Sequence, residues 1–295
     1  MALGLNKTKR RIASVKNTQK ITKAMEMVAT VKLKRFRDAF ERGLPYAASC
    51  ADFISYLAYA EQQQAEKRQV APSHYLRENE EAEGSLYIVI SSNLGLCAGY
   101  NNNLYKHIAE RLDSEKDTLA PIGAKAVAHY SREEALRQVD MLFAGLDLSS
   151  DLRLLHEAVR QVKDRFNSGR YRKVILIYTH YVNSLRFEPR ELTLLPLSSP
   201  YEPKPYERYA PRLLSSSPRQ LLHEALPTYL ASAIYYKLIE AQLSEQASRR
   251  TAMENANDNA DELLGKLTVE YNKARQSAIT QEIVEVVSGA SAQAQ

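Results

Sequence analysis

The sequence predicts an α/β protein: a long antiparallel coiled coil of N- and C-terminal helices plus a central Rossmann-like α/β domain. Three observations predict it. Residues 5–42 contain no Gly or Pro. Residues 228–288 contain one Gly, Gly265, and no Pro. Between these ends, apolar runs of strand length alternate with helical stretches of about 10–15 residues, the pattern of crossover units on a largely parallel sheet. At about 1.5 Å per residue the second run would make a rod of roughly 90 Å, whereas helices of globular domains average about three turns. Two such helices bury their apolar faces most cheaply against each other. That makes a shaft, and a shaft points to mechanical or scaffolding work rather than to a pocket.

The N-terminal shaft helix is expected over residues 1–65. One apolar or small stripe runs through Ile12, Val15, Thr22, Met25, Ala29, Leu33, Phe36 and Phe40. A second runs through Ile21, Ala24, Val28 and Val31. Steps of three and four place each stripe on one helix face. Two stripes imply burial on two sides, one against a partner helix and one against something else. Gly43-Leu44-Pro45 should punctuate the helix, and 47–65 should continue it after a kink.

The central α/β domain is expected over residues 84–200. Buried strands are predicted at 85–91 and 173–178, a short one at 119–122, a strand-like stretch at 139–143 and a long strand at 191–197. Helices are predicted at 102–112, 125–136 and 152–166, the last closed by Asn167-Ser168-Gly169. Residues 201–217, rich in Pro, Ser and Tyr, read as a linker. Ser217-Pro218 reads as an N-cap followed by a first-turn proline, which opens the C-terminal shaft helix at 218–288. Pro227 should kink or restart it. Its last part repeats the two-stripe pattern, with Leu263, Leu267, Tyr271 or Val269, Ala274, Ala278, Ile283 and Val286 near helical spacing. Small residues crowd 252–260, which either admits a second helix closely or reflects helix propensity.

Charge is unevenly placed. Residues 1–40 hold eleven Lys and Arg against Glu26 and Asp38, a net +9, while the whole chain is +5, so residues 41–295 carry −4. Such an arm is either a solvated helix face or a docking surface for an acidic partner or nucleic acid. A nucleic-acid-binding or scaffolding coiled coil is therefore the alternative reading. Single-strand binding would need aromatic residues between the cations, and residues 1–35 hold no Phe, Tyr or Trp. No apolar run approaches the roughly 18 residues of a membrane span. Two cysteines, Cys50 and Cys97, make no disulfide framework, which points to a reducing compartment.

The chemistry of a catalyst is missing. There is no Gly-x4-Gly-Lys-Ser/Thr phosphate loop. Gly95-Leu96-Cys97-Ala98-Gly99 follows a strand and precedes a helix, yet it lacks the third glycine of a dinucleotide loop and reads as a tight turn. Cys97 reads as a buried structural thiol. The six histidines (His74, His107, His129, His156, His180, His223) form no i, i+4 pair. No catalytic, cofactor or metal residues are therefore assigned, and the isolated chain is expected to hydrolyse no ATP.

The terminal segments carry a resemblance. Ile12-Ala13-Ser14-Val15-Lys16-Asn17-Thr18-Gln19-Lys20-Ile21-Thr22-Lys23-Ala24-Met25-Glu26-Met27-Val28-Ala29 resembles the N-terminal helix of γ subunits of F-type, bacterial-like ATP synthases. Gly95-Leu96-Cys97 resembles that family's central turn. Ser244-Glu245-Gln246-Ala247-Ser248-Arg249, Tyr271-Asn272-Lys273-Ala274-Arg275-Gln276 and Ile279-Thr280-Gln281-Glu282-Ile283 resemble its C-terminal helix. The resemblance spans the chain. It implies a rotor without an active site of its own. The terminal coiled coil would turn inside a hexamer of alternating α and β subunits, and the α/β domain would dock the ε subunit and the membrane c-ring. It implies a peripheral place on the cytoplasmic face of a bacterial membrane, reached only through partner subunits, with no nucleic acid bound. It also implies roles: Lys9, Arg10, Lys20 and Lys23 facing acidic loops of the hexamer, Met25 in a close-fitting collar, and Arg275, Gln276, Thr280 and Glu282 at mobile β-subunit loops. The chain departs from the family at Asn93-Leu94, where an acidic then a basic residue is usual, at Ala98, where Gly is common, and at Arg250, where Met is common.

Overall fold

The computed structural model describes residues 2–113, 115–131, 139–147, 152–197, 201–202, 214 and 216–293, with backbone alone at 2–4, 282, 285 and 288–293. The linker expected at 201–217 lies mostly outside the described residues, as do 132–136 of the helix expected at 125–136. The elements are α1 (Ala2–Arg68), β1 (Leu86–Ile90), α2 (Tyr100–Ala109), β2 (Thr118–Ile122), α3 (Ala124–Tyr130), α4 (Leu152–Asn167), β3 (Val174–Tyr181), β4 (Phe187–Leu195) and α5 (Pro218–Gln293). Short 3-10 turns stand at His74–Leu76 and Met141–Phe143. The chain divides into two compact units, Met1–Val31 with Arg249–Gln295, and Lys32–Ser248.

The larger unit is built on a four-stranded sheet of order β2-β1-β3-β4. β1 runs parallel to β2, with Leu86 opposite Thr118, and parallel to β3, with Leu86 opposite Val174. β4 is an antiparallel edge strand, with His180 opposite Glu188. The expectation of a largely parallel sheet thus holds for three strands, and β4 returns by a hairpin. That hairpin lacks the usual Gly or Pro. Asn183 replaces them, its side-chain oxygen accepting from the amides of Leu185 and Arg186 at 2.9 and 2.8 Å. β4 therefore starts at Phe187 and ends at Leu195, not at 191 and 197.

Alternation along the strands feeds two cores. Leu86, Ile88 and Ile90 of β1, with Leu176 and Tyr178 of β3, face a cluster that includes Ile54 and Leu57 of α1, Val159 and Val162 of α4, and Leu226 and Leu230 of α5. Val89, Ile175 and Ile177 face the opposite way, onto Leu104 and Ile108 of α2 and Ala126 and Tyr130 of α3. A sheet covered on both faces is the Rossmann-like arrangement expected.

Three local expectations change. The stretch 139–143 makes only a single bridge, Val139 to Leu119. It then turns, because the Asp140 side chain accepts from the Leu142 amide at 3.1 Å and caps the Met141–Phe143 turn. The helix does not break at Pro45, nor at Pro227. An internal proline costs about 3 kcal/mol. Around Pro227, burial of Leu222, Leu226, Leu230 and Ile234 offsets it, at about 1.5–3 kcal/mol per side chain. Around Gly43 and Pro45, Phe40 stacks on Tyr236 at 5.0 Å, and Gly43 lies beside the Tyr236 ring. In this unit α1 and α5 run antiparallel: Leu33 packs with Leu243 and Ala247, and Phe40 with Tyr236.

Candidate partner-docking surface

The smaller unit contains every sequence-predicted site residue. On α1 a covered stripe runs through Leu5, Thr8, Ile12, Val15, Gln19, Thr22, Glu26 and Ala29, with Met25 half-covered beside it. The steps alternate strictly between three and four, which is the heptad seam of a coiled coil. On α5, from Asn257 onward, the covered positions among the described side chains are Asn257, Ala260, Leu264, Leu267, Tyr271, Ala274 and Ala278, again at heptad spacing. Leu263 of the expected stripe is exposed, and Leu264 is the seam residue. Ile283 and Val286, from the same expected spacing, are exposed as well.

The seam is polar at its centre. Asn257, 9% exposed, accepts from the Thr22 hydroxyl and donates to the Glu26 carboxylate at 2.7 Å. Sequence reasoning missed this trio, since a lone Asn in an Ala-rich run gives no sign of which face it takes. Polar groups in a seam fix register, because sliding would strand them without partners. Arg250 lies 3.9 Å from Glu254 one turn on.

The second α1 stripe is the surface. Ile21, Val28 and Val31 are 62%, 55% and 70% exposed, with Met27 beside them. Val269, Ile279, Ile283, Val284, Val286 and Val287 of α5 are exposed too. A monomeric protein rarely leaves so many aliphatic side chains in water, and contiguous patches of that kind mark interaction sites. Lys9, Arg10, Lys20 and Lys23 are exposed on the same helix, while Met25 is half-covered beside the seam residue Glu26. Arg275, Gln276 and Thr280 are exposed on α5. The Thr280 hydroxyl donates to the Gln276 carbonyl at 3.0 Å, so its oxygen is offered to a partner as an acceptor. The Glu282 side chain lies outside the described residues. Such a surface suits a partner with both apolar and acidic groups.

The Gly95–Gly99 turn belongs to the larger unit and is structural. Cys97 is buried, with its sulfur 3.6 Å from the Asn101 side-chain nitrogen. The left-handed conformations fall on Leu96 (φ 61) and Ala98 (φ 47), not on the glycines. Asn93 accepts from the Ala124 amide at 2.9 Å at the start of α3, which a carboxylate would do as well, so the neutral residue at that departure has no structural explanation. Among the described residues no three His, Cys, Asp or Glu side chains gather to hold a metal, and no helix is long and apolar enough to cross a membrane.

Comparison with known proteins agrees with this geometry. A family model described as ATP synthase matches residues 4–293. The ATP synthase gamma chain of Desulforamulus reducens is 36% identical over 289 residues, 96% of this chain and 97% of that one. The ATP synthase gamma chain of Heliobacterium modesticaldum is 34% identical over 299 residues, 98% and 99% of the two chains. Among solved structures, a rotor chain of Euglena gracilis mitochondrial ATP synthase has a TM-score of 0.66 at 17% identity, over 95% of this chain and all of that one. A central-stalk chain of the Tetrahymena thermophila mitochondrial enzyme has a TM-score of 0.54 at 22% identity, over 80% of this chain and 99% of that one. The two structures share the fold, and the two sequences share the family: the chain belongs to the ATP synthase gamma chains.

Proposed function

We infer that the chain is the rotor of the central stalk of an F-type ATP synthase, coupling proton flow through a membrane ring to ATP synthesis or hydrolysis in a catalytic hexamer. The observation that carries this reading is the second face of the coiled coil. A paired helix whose outward face is aliphatic and basic needs a close-fitting, partly acidic surround. A hexamer of α and β subunits is such a surround. The exposed cations Lys9, Arg10, Lys20 and Lys23 face its acidic loops by long-range attraction that salt weakens. Met25 sits at a collar, and Arg275, Gln276, Thr280 and Glu282 meet mobile loops of β.

The α/β domain takes the other end of the transmission, against the ε subunit and the c-ring. The chain itself then stays off the bilayer, held at the cytoplasmic face of a bacterial membrane by its partners. Co-purification tests the assignment. Tagged chain should bring down both nucleotide-binding subunits, each in about threefold excess over the chain. Recovery of the chain alone, or with nucleic acid in their place, would overturn it.

A further inference from the structure

We propose that Glu240 is the positioning residue that locks the register between the sheet and α5, so that load on the α/β domain turns α5 instead of sliding the sheet along it. This rests on the rotor reading above. The apolar contacts of α5 cannot supply the lock. Leu222, Leu226, Leu230, Ile234 and Leu238 are all at most 3% exposed and follow one another at steps of four. Burial is non-directional and scales with area. A slide of one turn, about 5.4 Å, would put one aliphatic side chain where another had been. One-turn ratchets of this kind are a known mode of movement between packed elements.

Glu240 breaks that repeat. It lies two residues past Leu238, on the side of α5 that meets the end of β3, and it is a carboxylate, 1% exposed. One oxygen takes the His180 Nδ1 proton and the Tyr181 amide at 3.3 Å. The other takes the Lys237 ammonium at 2.8 Å, and that ammonium lies 4.4 Å over the Tyr178 ring. The carboxylate thus joins the end of β3 to α5. The polar ties continue along the helix: the Ser244 hydroxyl is shared between the Thr179 carbonyl at 3.2 Å and the Glu240 carbonyl at 3.0 Å, and Ser248 Oγ donates to the Cys97 carbonyl at 2.7 Å. On the side of α2, the Tyr100 hydroxyl donates to the Ala241 carbonyl at 3.0 Å. A one-turn slide would leave the Glu240 charge buried without its β3 donors, the arrangement a protein interior tolerates least.

The test compares two variants of the assembled complex in sealed vesicles. Glu240→Gln keeps the shape and removes the charge. Leu230→Ala weakens the same packing without touching the polar ties. Protons moved per ATP hydrolysed should fall about two-fold or more with Glu240→Gln, and fall further as the opposing gradient rises. Leu230→Ala should lower the melting temperature and leave the ratio at the wild-type value. An unchanged ratio in Glu240→Gln, or an equal fall in Leu230→Ala, would overturn the lock. Failure of the wild-type chain itself to support pumping would overturn the rotor reading, and the lock with it.

Discussion

The Ser248 hydroxyl of α5 donates to the Cys97 carbonyl at 2.7 Å, and both residues are buried. The turn that a sequence search would try first as a cofactor loop is therefore seated on the long helix. One turn earlier, Ser244 holds the Thr179 carbonyl of β3 in the same way. Removing the Ser248 hydroxyl takes one of two donors from the Cys97 carbonyl, which keeps the Tyr100 amide at 3.1 Å, so the loss is that of one ordinary hydrogen bond, about 0.5–1.5 kcal/mol. Urea unfolding of Ser248→Ala should show that loss at an unchanged m-value. A difference under about 0.3 kcal/mol would show that the Ser248 hydroxyl adds nothing to the Tyr100 amide at that carbonyl.

Ala98 holds φ 47 in that turn, where glycine is free of steric cost. A non-glycine residue in this region is strained by about 1–3 kcal/mol, and the extra freedom of an unfolded glycine offsets part of the relief. Ala98→Gly is expected to raise the melting temperature. A lower value would show that the Ala98 methyl group packs well enough to outweigh the strain.

Much of this architecture was legible because length and period are hard to disguise. A run of 61 residues with one glycine, 228–288, has few alternatives to helix. Two stripes on α1 announced two buried faces, and the structure leaves the second, Ile21 to Val31, uncovered in the isolated chain. Less legible was anything decided by one side chain. Leu263 and Leu264 are interchangeable to a period count, and only the seam tells them apart. Pro45 and Pro227 carry the local signal for a break, which tertiary packing overrides. The Asn183 hairpin has no glycine to reveal it. Glu26 and Asn257 are polar in a seam, where a hydrophobic pattern cannot see them.

Met25 stands half-covered beside Glu26, whose carboxylate is already engaged with Asn257. Met25→Lys adds a charge that must be desolvated in a close-fitting collar or find a new partner there. Assembly should survive while protons pumped per ATP fall. An unchanged ratio would remove the collar from the account.

Gln276 and Thr280 share a face of α5 at i, i+4, and both are exposed. Gln276→Leu removes the side-chain amide and spares the backbone carbonyl that accepts from Thr280. ATP turnover of the assembled complex should fall by more than complex yield does. A contact worth about 1–3 kcal/mol is at stake. Turnover equal to wild type, with normal yield, would leave this stretch as a plain axle.

Rotation itself tests the central claim most directly. Leu185, 81% exposed on the β3–β4 turn, offers an attachment point as Leu185→Cys once Cys50 is replaced by Ser. Cys97 is buried and can stay. With the catalytic subunits fixed to a surface and a rod attached at residue 185, the rod should turn in one direction while ATP is hydrolysed and stop when ATP is withdrawn. Hydrolysis at full rate with a stationary rod would contradict the account.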